Sequence, residues 1–590
     1  ALELRKAGLG LLGNIVGDLK AVACIEDTAV ALDDLKGFIG EFTQIMKEYG
    51  QNAVYYAHAG AGELHLRPIL NLKKSEDVAL FRSITTDVAK LTKKYNGSFS
   101  GEHGDGIVRA EFIPLMIGEE NYELLKRIKS YFDPNNIFNP GKIVDPFPMD
   151  QSLRYIIDRE EPKIDTLFDF SDSEGILKAT EKCNGSGDCR KTHHMSGAMC
   201  PSYHATKNEK DTTRGRANAL REFLTITEQP NKFDRKELKE VFDLCLSCKA
   251  CASECPSNVD IATLKAEFLY QYQETNGYPL RAKLFAYNTK INRLGSKVPG
   301  LTNALYSSKL IGGLLKSSSG VAKQRTLPKV YSFDFDKHLQ LFKIKHSSKK
   351  EKVVLYIDEF TNYLDIELGQ DAIEVLSKLG YEVELFYAES GRTYISKGFL
   401  KQAKVLALKN IEVLKKFADL KMPVIGIEPS AILTFRDEYK RFSDEVATTN
   451  AIANNSFLIE EFLSNEIQKG KITKEAFTKE SKNIKIHGHC HQKSLSNQKV
   501  TFDMLNIPEN YTVTIINSGC CGMAGSFGYE KEHYEVSMQV GELKLFPAIR
   551  KATEDVVISA NGTSCRHQIL DGTKRKALHP ITILINALLD

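Results

Sequence analysis

The sequence predicts a multidomain protein built from an α+β unit, a helical unit organised by metal-binding cysteines, and a pair of related α/β units. Three observations lead there. The chain has 590 residues, beyond the roughly 250–300 residues that one hydrophobic core serves. Eleven of its 12 cysteines lie in short clusters past residue 180, a distribution that reads as metal sites rather than a secreted disulfide scaffold. From about residue 351 onward, strand-like and helical segments alternate as in α/β proteins. A hydrophobic fraction of 42% and a charged fraction of 26% are those of a globular chain. The net charge of +3 gives no nucleic-acid reading. No apolar stretch approaches the roughly 20 residues that span a bilayer, and an N-terminus with Glu3 and Asp18 does not resemble a signal peptide. The expectation is a cytoplasmic protein, with docking at the periphery of the inner membrane and homo-oligomerisation both open.

Residues 1–147 read as the α+β unit. Between residues 75 and 97 Ser75 is placed as a cap, Glu76 and Asp77 fill a first turn, Phe81, Ile84, Val88 and Leu91 form one stripe, and Lys93 and Lys94 close the helix before Gly97. Strand-like pieces fall at 53–56 and 98–100, and Pro146 and Pro148 mark the end of the unit. Residues 148–290 are helical and polar, interrupted by cysteines. Residues 291–350, with serine-rich tracts at 317–320 and 347–350, read as a connector with one or two short helices.

Residues 351–475 and 476–590 read as two copies of one α/β unit. The first has a strand at 353–357, a helix at 371–379 closed by Gly380, and a strand at 381–386; the second has strands at 484–486, 513–516 and 556–559. Their loops correspond. Ser518-Gly519-Cys520-Cys521-Gly522 matches Ala388-Glu389-Ser390-Gly391, and Thr563-Ser564-Cys565 matches Pro429-Ser430-Ala431. The first copy keeps the frame without the cysteines.

The run Cys245-Leu246-Ser247-Cys248-Lys249-Ala250-Cys251-Ala252-Ser253-Glu254-Cys255-Pro256 has the form of an iron-sulfur ligand set. Thiolates three residues apart on a tight loop reach successive corners of a cubane, and a fourth Cys followed by Pro serves a second cluster. Structural zinc prefers two separated pairs. In the crossed pattern Cys200, before Pro201, completes a 4Fe-4S site with Cys245, Cys248 and Cys251, while Cys255 joins Cys183 and Cys189. That second site lacks one ligand, because Ser186 stands midway between Cys183 and Cys189. A three-iron cluster, a ligand from Ser186 or His193, and an empty site all remain open. Cys490, Cys520, Cys521 and Cys565 follow strands of the last α/β unit, where open sheets place their sites; zinc, a cluster and a redox disulfide all fit them. Cys24 stands alone and reads as a small buried hydrophobe.

The remaining candidates are His58-Ala59-Gly60-Ala61-Gly62-Glu63-Leu64-His65 and Ser100-Gly101-Glu102-His103-Gly104-Asp105-Gly106. The first is no dinucleotide fingerprint, since it lacks the third glycine and opens no helix. Two histidines and an adjacent Glu-His suit a divalent metal beside a general base; taken alone, the segments read first as ordinary surface loops.

Those segments, with Glu26-Asp27-Thr28-Ala29-Val30 and the stretch from Phe132-Asp133-Pro134 to Asn139-Pro140-Gly141-Lys142, resemble the C-terminal substrate domain of FAD-linked oxidases, the group of D-lactate, glycolate and D-2-hydroxyglutarate dehydrogenases. Residues 183–256, including Arg214-Gly215-Arg216-Ala217-Asn218, resemble the iron-sulfur domain of glycolate oxidase and anaerobic glycerol-3-phosphate dehydrogenase subunits, and the last part resembles the cysteine-rich CCG domain of heterodisulfide reductases. The resemblance implies an α+β substrate/cap domain, an all-α ferredoxin-like iron-sulfur domain and two α/β CCG-type repeats. It implies that His58, His65 and Glu102 bind zinc or another divalent metal, that His103 is the general base, that Arg5 and Arg67 hold substrate carboxylates, and that Asn139 lies near FAD. The implied activity is oxidation of a small D-2-hydroxy acid at FAD, with electrons leaving through iron-sulfur clusters to a quinone or an electron-transfer protein. The family commonly has Gly-Asp-Gly-Asn-Leu-His where this chain has Gly60-Ala61-Gly62-Glu63-Leu64-His65, which bears on substrate identity. The flavin-binding domain expected ahead of Ala1 is not in the sequence, so FAD binding is expected to need it. The alternatives are an electron-transfer subunit with no dehydrogenase activity of its own and a zinc-only scaffold.

Overall fold

A computed structural model of the protein describes residues 8, 12–195, 197–345 and 351–589. They fall into two units, Ala1–Lys163 and Ile164–Asp590.

In the first unit an antiparallel sheet is built around β4 (Glu63–Leu70). β3 (Ala53–His58) runs along one edge, and β1 (Lys20–Ala21) and β2 (Ile25–Ala29) lie end to end on the other. Side chains alternate across a strand, so Leu64, Leu66 and Leu70 share one face and Glu63, His65 and Arg67 the other. The leucine face packs on helices Leu35–Glu48 and Ser75–Lys94 through Phe38, Phe42, Phe81, Ile84 and Val88. Ser75 does not cap its helix. It is the first helical residue, and its N–H is bound by Asp158 at 3.1 Å. Residues 98–100 contribute one bridge, Ala29 to Ser98, rather than a strand, because the following N–H groups turn toward Asp27.

In the second unit every element from Ser171 to Lys345 among the described residues is helical. Helices Thr213–Ile226, Lys236–Asp243 and Ile261–Asn276 bury Leu220, Leu224, Leu238, Phe242, Leu264 and Phe268 in one core. Thr212 and Asp260 cap the first and third of these helices. The expected connector is more helical than its composition suggests. It holds Pro299–Ser307, Lys309–Ser319 and Phe335–Lys345, the first started by Pro299 at a position that needs no N–H and the second capped by Ser308.

Two parallel sheets follow. β5 (Lys352–Ile357), β6 (Glu382–Tyr387), β7 (Val424–Gly426) and β8 (Ser456–Leu458) lie in the order β6-β5-β7-β8, and β9 (Lys482–His487), β10 (Tyr511–Ile515) and β11 (Val557–Ala560) in the order β10-β9-β11. In each, the first strand of the series is flanked by the second and the third.

Candidate metal and iron-sulfur sites

His65 lies on the polar face of β4, opposite Tyr56 of β3, with the two rings stacked at 4.3 Å. His58 ends β3, and its ring centroid is 5.5 Å from that of His65; the ring of His103 is 5.7 Å away. One donor atom each from His58, His65 and Glu102 lies within 4.8 Å of the others. Two imidazoles and a carboxylate at that spacing fit a divalent cation. Glu102 also stands 3.2 Å from His103 Nε2 and 3.7 Å from His58 Nε2. His65 Nδ1 is 3.1 Å from Glu26. Burial, outweighing that carboxylate, holds the His65 imidazole below its ordinary pKa, so it stays neutral and able to ligate.

The residues that build this site were only partly visible in the sequence. Asp27, in the left-handed region at φ 53°, accepts from the N–H groups of Glu102 and His103 at 2.8 and 2.6 Å and from Ser100 Oγ. Its other oxygen is paired with Arg109, whose guanidinium also donates to the carbonyls of Glu26, Phe99 and Gly104. Although burial alone would raise the Asp27 carboxyl, Arg109 and the two backbone donors hold it below the usual range. Arg67, expected at a substrate carboxylate, directs its buried guanidinium to Glu26 and Tyr56. Asn139 is on an exposed loop in the left-handed region at φ 51°. Arg5 lies outside the described residues.

All twelve cysteines are free thiols. Within the run 245–251 the backbone is left-handed at Ser247 and Lys249, once inside each Cys-x-x-Cys interval, which curls the loop about its sulfurs. Burial, then the Asp260 carboxylate, then the neighbouring Cys248, Cys200 and Cys245 thiols push the Cys251 thiol well up. Burial likewise pushes Cys200 to about 12, with Cys189 and Cys245 adding to it. Cys200 Sγ accepts the N–H of Thr213 at 3.0 Å. Cys255 has Cys183 and Cys189 as its thiol neighbours, and Arg214 N–H points at Cys189 Sγ at 3.4 Å. The structure therefore brings together the two sets that the spacing suggests. Buried thiols crowded without disulfides, with N–H donors directed at sulfur, fit iron-sulfur ligation. Ser186 is exposed, and His193 lines a cleft with His204, Gly519 and Cys520.

Lys249 was missed as well. It is almost fully buried, with its ammonium held by Asp260 at 3.4 Å, Glu438 at 3.2 Å and Asp437. It ties the cysteine loop to the loop that follows the helix Pro429–Ile432.

Cys490, Cys520, Cys521 and Cys565 all lie beyond the C-terminal ends of β9, β10 and β11. Cys520 contacts Cys490 and Cys521, and Cys521 contacts Cys565. Donor atoms of His487, Cys521 and Cys565 lie within 4.8 Å of one another. Cys520 and Cys565, by hydrogen bonding, and His487 hold the Cys521 thiol well below its ordinary pKa. Gly522 has φ 95°, and a Cβ there would come 2.1 Å from the Ser537 carbonyl, so this turn requires glycine. Lys493 Nζ, half-buried beside the four thiols, donates to the carbonyls of Ser518 and Gly519, both at 2.7 Å. His487 and Lys493 were missed although the segment His487-Gly488-His489-Cys490-His491 is dense in donors. This site adjoins the cysteine run: after burial, Cys490 is the largest influence on the Cys248 thiol, and His491 Nε2 lies 3.3 Å from the Ser247 carbonyl.

Residues 1–143 match the family of FAD linked oxidases, C-terminal domain, and residues 182–260 match the 4Fe-4S dicluster domain. Among individual proteins, the chain is similar to D-2-hydroxyglutarate dehydrogenase of Escherichia coli (strain K12), 29% identical over 629 residues that cover 99% of this chain and 60% of the relative. It is similar to a subunit of the anaerobic glycerol-3-phosphate dehydrogenase of the same organism, 28% identical over 342 residues, 56% of this chain and 83% of the relative. It is also similar to glycolate oxidase subunit GlcD of Bacillus subtilis (strain 168), 26% identical over 157 residues, 27% of this chain and 32% of the relative. The chain spans about 60% of the length of the D-2-hydroxyglutarate dehydrogenases it matches.

Proposed function

We propose that this chain works in an FAD-dependent dehydrogenase of a small D-2-hydroxy acid, with D-2-hydroxyglutarate the first substrate to test, and carries the electrons onward through its cysteine sites. The observation that carries the reading is the grouping of His58, His65 and Glu102 donor atoms beside His103, in one chain with three neighbouring thiol sets. His58, His65 and Glu102 would hold a divalent ion, which lowers the pKa of a bound hydroxyl and fixes its orientation. His103 takes the hydroxyl proton at an imidazole nitrogen. Asp27 and Arg109 position the loop that carries His103 and Glu102, and Glu26, gripped by Arg67, orients His65. Bound flavin supplies the hydride acceptor and the conversion from two-electron to one-electron chemistry. Exposed Phe132, Ile137 and Phe138 around Asn139 give an apolar rim that suits contact with the flavin or the protein enclosing it.

In the second unit, Cys200, Cys245, Cys248 and Cys251 would hold a 4Fe-4S cluster, and Cys183, Cys189 and Cys255 a second, ligand-poor one. The C-terminal pair of α/β units is assigned as CCG-type repeats, the first without cysteines, and the helical region as the ferredoxin-like domain. Cys490, Cys520, Cys521 and Cys565, with His487, would hold the third metal. The adjacency of Cys189 to Cys200 and of Cys248 to Cys490 supports an electron order that ends at the C-terminal site, where a quinone or another carrier takes over. The similarity of the second unit to a subunit of anaerobic glycerol-3-phosphate dehydrogenase favours one alternative, an electron-transfer role without dehydrogenation. His103→Ala in the native enzyme separates the two readings. Loss of substrate-driven flavin reduction with intact dithionite reduction of the clusters supports the first, and unchanged turnover removes His103 as the base.

A further inference from the structure

We infer that the helices between residues 288 and 319 form a docking face for an anionic lipid bilayer. From residue 275 to residue 333 the chain has ten Lys or Arg and neither Asp nor Glu. The whole chain carries 79 basic and 76 acidic residues; without this stretch the count is 69 against 76, so the positive balance resides here. Arg281 pairs with Glu532 at the surface, and Arg325 turns inward to Asp571. The other eight make no salt bridge among the described residues.

The same stretch exposes aliphatic side chains that a soluble surface ordinarily covers. On helix Lys309–Ser319, Leu310 is 83% and Leu314 70% exposed, one helical turn apart, and Gly312 is the only buried residue. A Cβ at Gly312 would come 2.5 Å from the Tyr306 carbonyl, so the helix is seated closely on Pro299–Ser307 and its leucines are left outward. Pro299–Ser307 buries none of its residues. Leu301 on that helix, with Leu294 and Val298 just before it, is more than half exposed.

Chemistry distinguishes the occupant. Protein interfaces favour Tyr, Trp, Phe and Met at their centres, whereas the large exposed apolar residues here are all Leu, Ile or Val. Aliphatic side chains flanked by Lys and Arg, with no carboxylate within the stretch itself, are the composition of an interfacial helix, in which the leucines enter the acyl boundary and the cations meet lipid phosphates. No helix of the described residues is long and apolar enough to cross a membrane, so attachment would be at the surface. The inference stands on this surface alone and not on the redox assignments.

The test is co-sedimentation of the native protein with phosphatidylcholine vesicles, with and without phosphatidylglycerol. Binding is expected only with phosphatidylglycerol and should weaken as salt rises. Leu310→Asp/Leu314→Asp and, independently, Lys309→Gln/Lys316→Gln should each weaken it on the order of tenfold or more, with the visible spectrum and turnover in detergent unchanged. Absence of vesicle binding, or binding that both pairs leave intact, would overturn the inference. So would a sedimentation shift in which the wild type self-associates and the leucine pair dissociates it, which would assign the face to a second copy of the chain.

Discussion

His487 Nδ1 lies 2.7 Å from Ser518 Oγ in the buried floor of the C-terminal site. With Nδ1 engaged there, the other ring nitrogen, buried and without a nitrogen or oxygen partner, is left for the sulfurs of Cys521 and Cys565. Burial holds the ring down at about 4 despite its contact with Cys521, so the neutral imidazole is the resident form. Removing a hydrogen-bond partner that orients a ligand typically weakens metal affinity by about 10–100-fold. Ser518→Ala should therefore lose its C-terminal metal to a chelator at a lower concentration than wild type, and His487→Ala at a lower one still. Metal content per chain along the chelator titration is the readout, and equal retention in all three proteins removes His487 from the ligand set.

Arg109 and Asp27 together brace the loop of His103. Arg109 is buried and has four oxygen acceptors, and its partner Asp27 is fully buried and accepts the N–H groups of Glu102 and His103. Breaking a buried ion pair by removing one partner costs about 3–5 kcal/mol, because the other charge is left uncompensated. Arg109→Met should lower the unfolding midpoint of the first unit and abolish substrate-driven reduction, while dithionite still bleaches the clusters. Retained turnover would show that the loop holds its geometry without this pair.

Legibility in the sequence followed the range of the interactions. The cysteine run was readable because thiols three residues apart are set by local backbone, and most strands of the two parallel sheets because they are short apolar runs, though not the three-residue β8. The support of those sites was not readable. Lys249 is sequence-adjacent to Cys248, yet its partners Asp437 and Glu438 are far along the chain. Arg67 was expected at a substrate carboxylate, since nothing local in the sequence shows that β2 brings Glu26 against it. His487 stood in a donor-rich segment where no spacing rule separates a metal ligand from a cap, and His489, two residues on, does serve as a helix cap. The connector was read with one or two short helices but without their bounds, because the exposed leucines of Pro299–Ser307 and Lys309–Ser319 form no core stripe.

His533 should make stability fall with rising pH. Its ring is stacked on Phe527 at 4.4 Å and lies between Asp243 Oδ2 at 2.9 Å and Glu530 Oε2 at 3.1 Å. Burial alone would lower its pKa, but the two carboxylates win and raise it above the ordinary 6.5. For a raised imidazole the stabilisation is complete below pH 6.5 and is lost as pH climbs through the folded-state value. His533→Gln should flatten that part of the denaturation-midpoint profile above pH 6.5 and cost most below it. A profile above pH 6.5 with the wild-type slope would mean that His533 is not its source.

Glu460 gives a slope of the same sign in a different window. The side chain is fully buried at the start of helix Ile459–Gln468, and neither oxygen has a well-formed hydrogen bond. Burial, with Glu461 and Glu428 adding to it and Asn561 giving little relief, pushes the carboxyl from 4.5 to about 7. Below pH 4.5 it is protonated folded and unfolded, with no electrostatic cost. Between 4.5 and about 7 the unfolded chain ionises first, so the unfolded state gains and stability falls; above that the cost is constant. At about 1.4 kcal/mol per pKa unit the full swing is on the order of 3 kcal/mol. Glu460→Gln keeps the shape but cannot ionise, so any packing penalty of the amide is the same at every pH while the carboxylate's cost disappears. The midpoint of the variant relative to wild type should therefore be more favourable at pH 8 than at pH 5. If the two midpoints differ by the same amount at both values, Glu460 is not ionising inside the fold, and its oxygens must have partners that neutralise it.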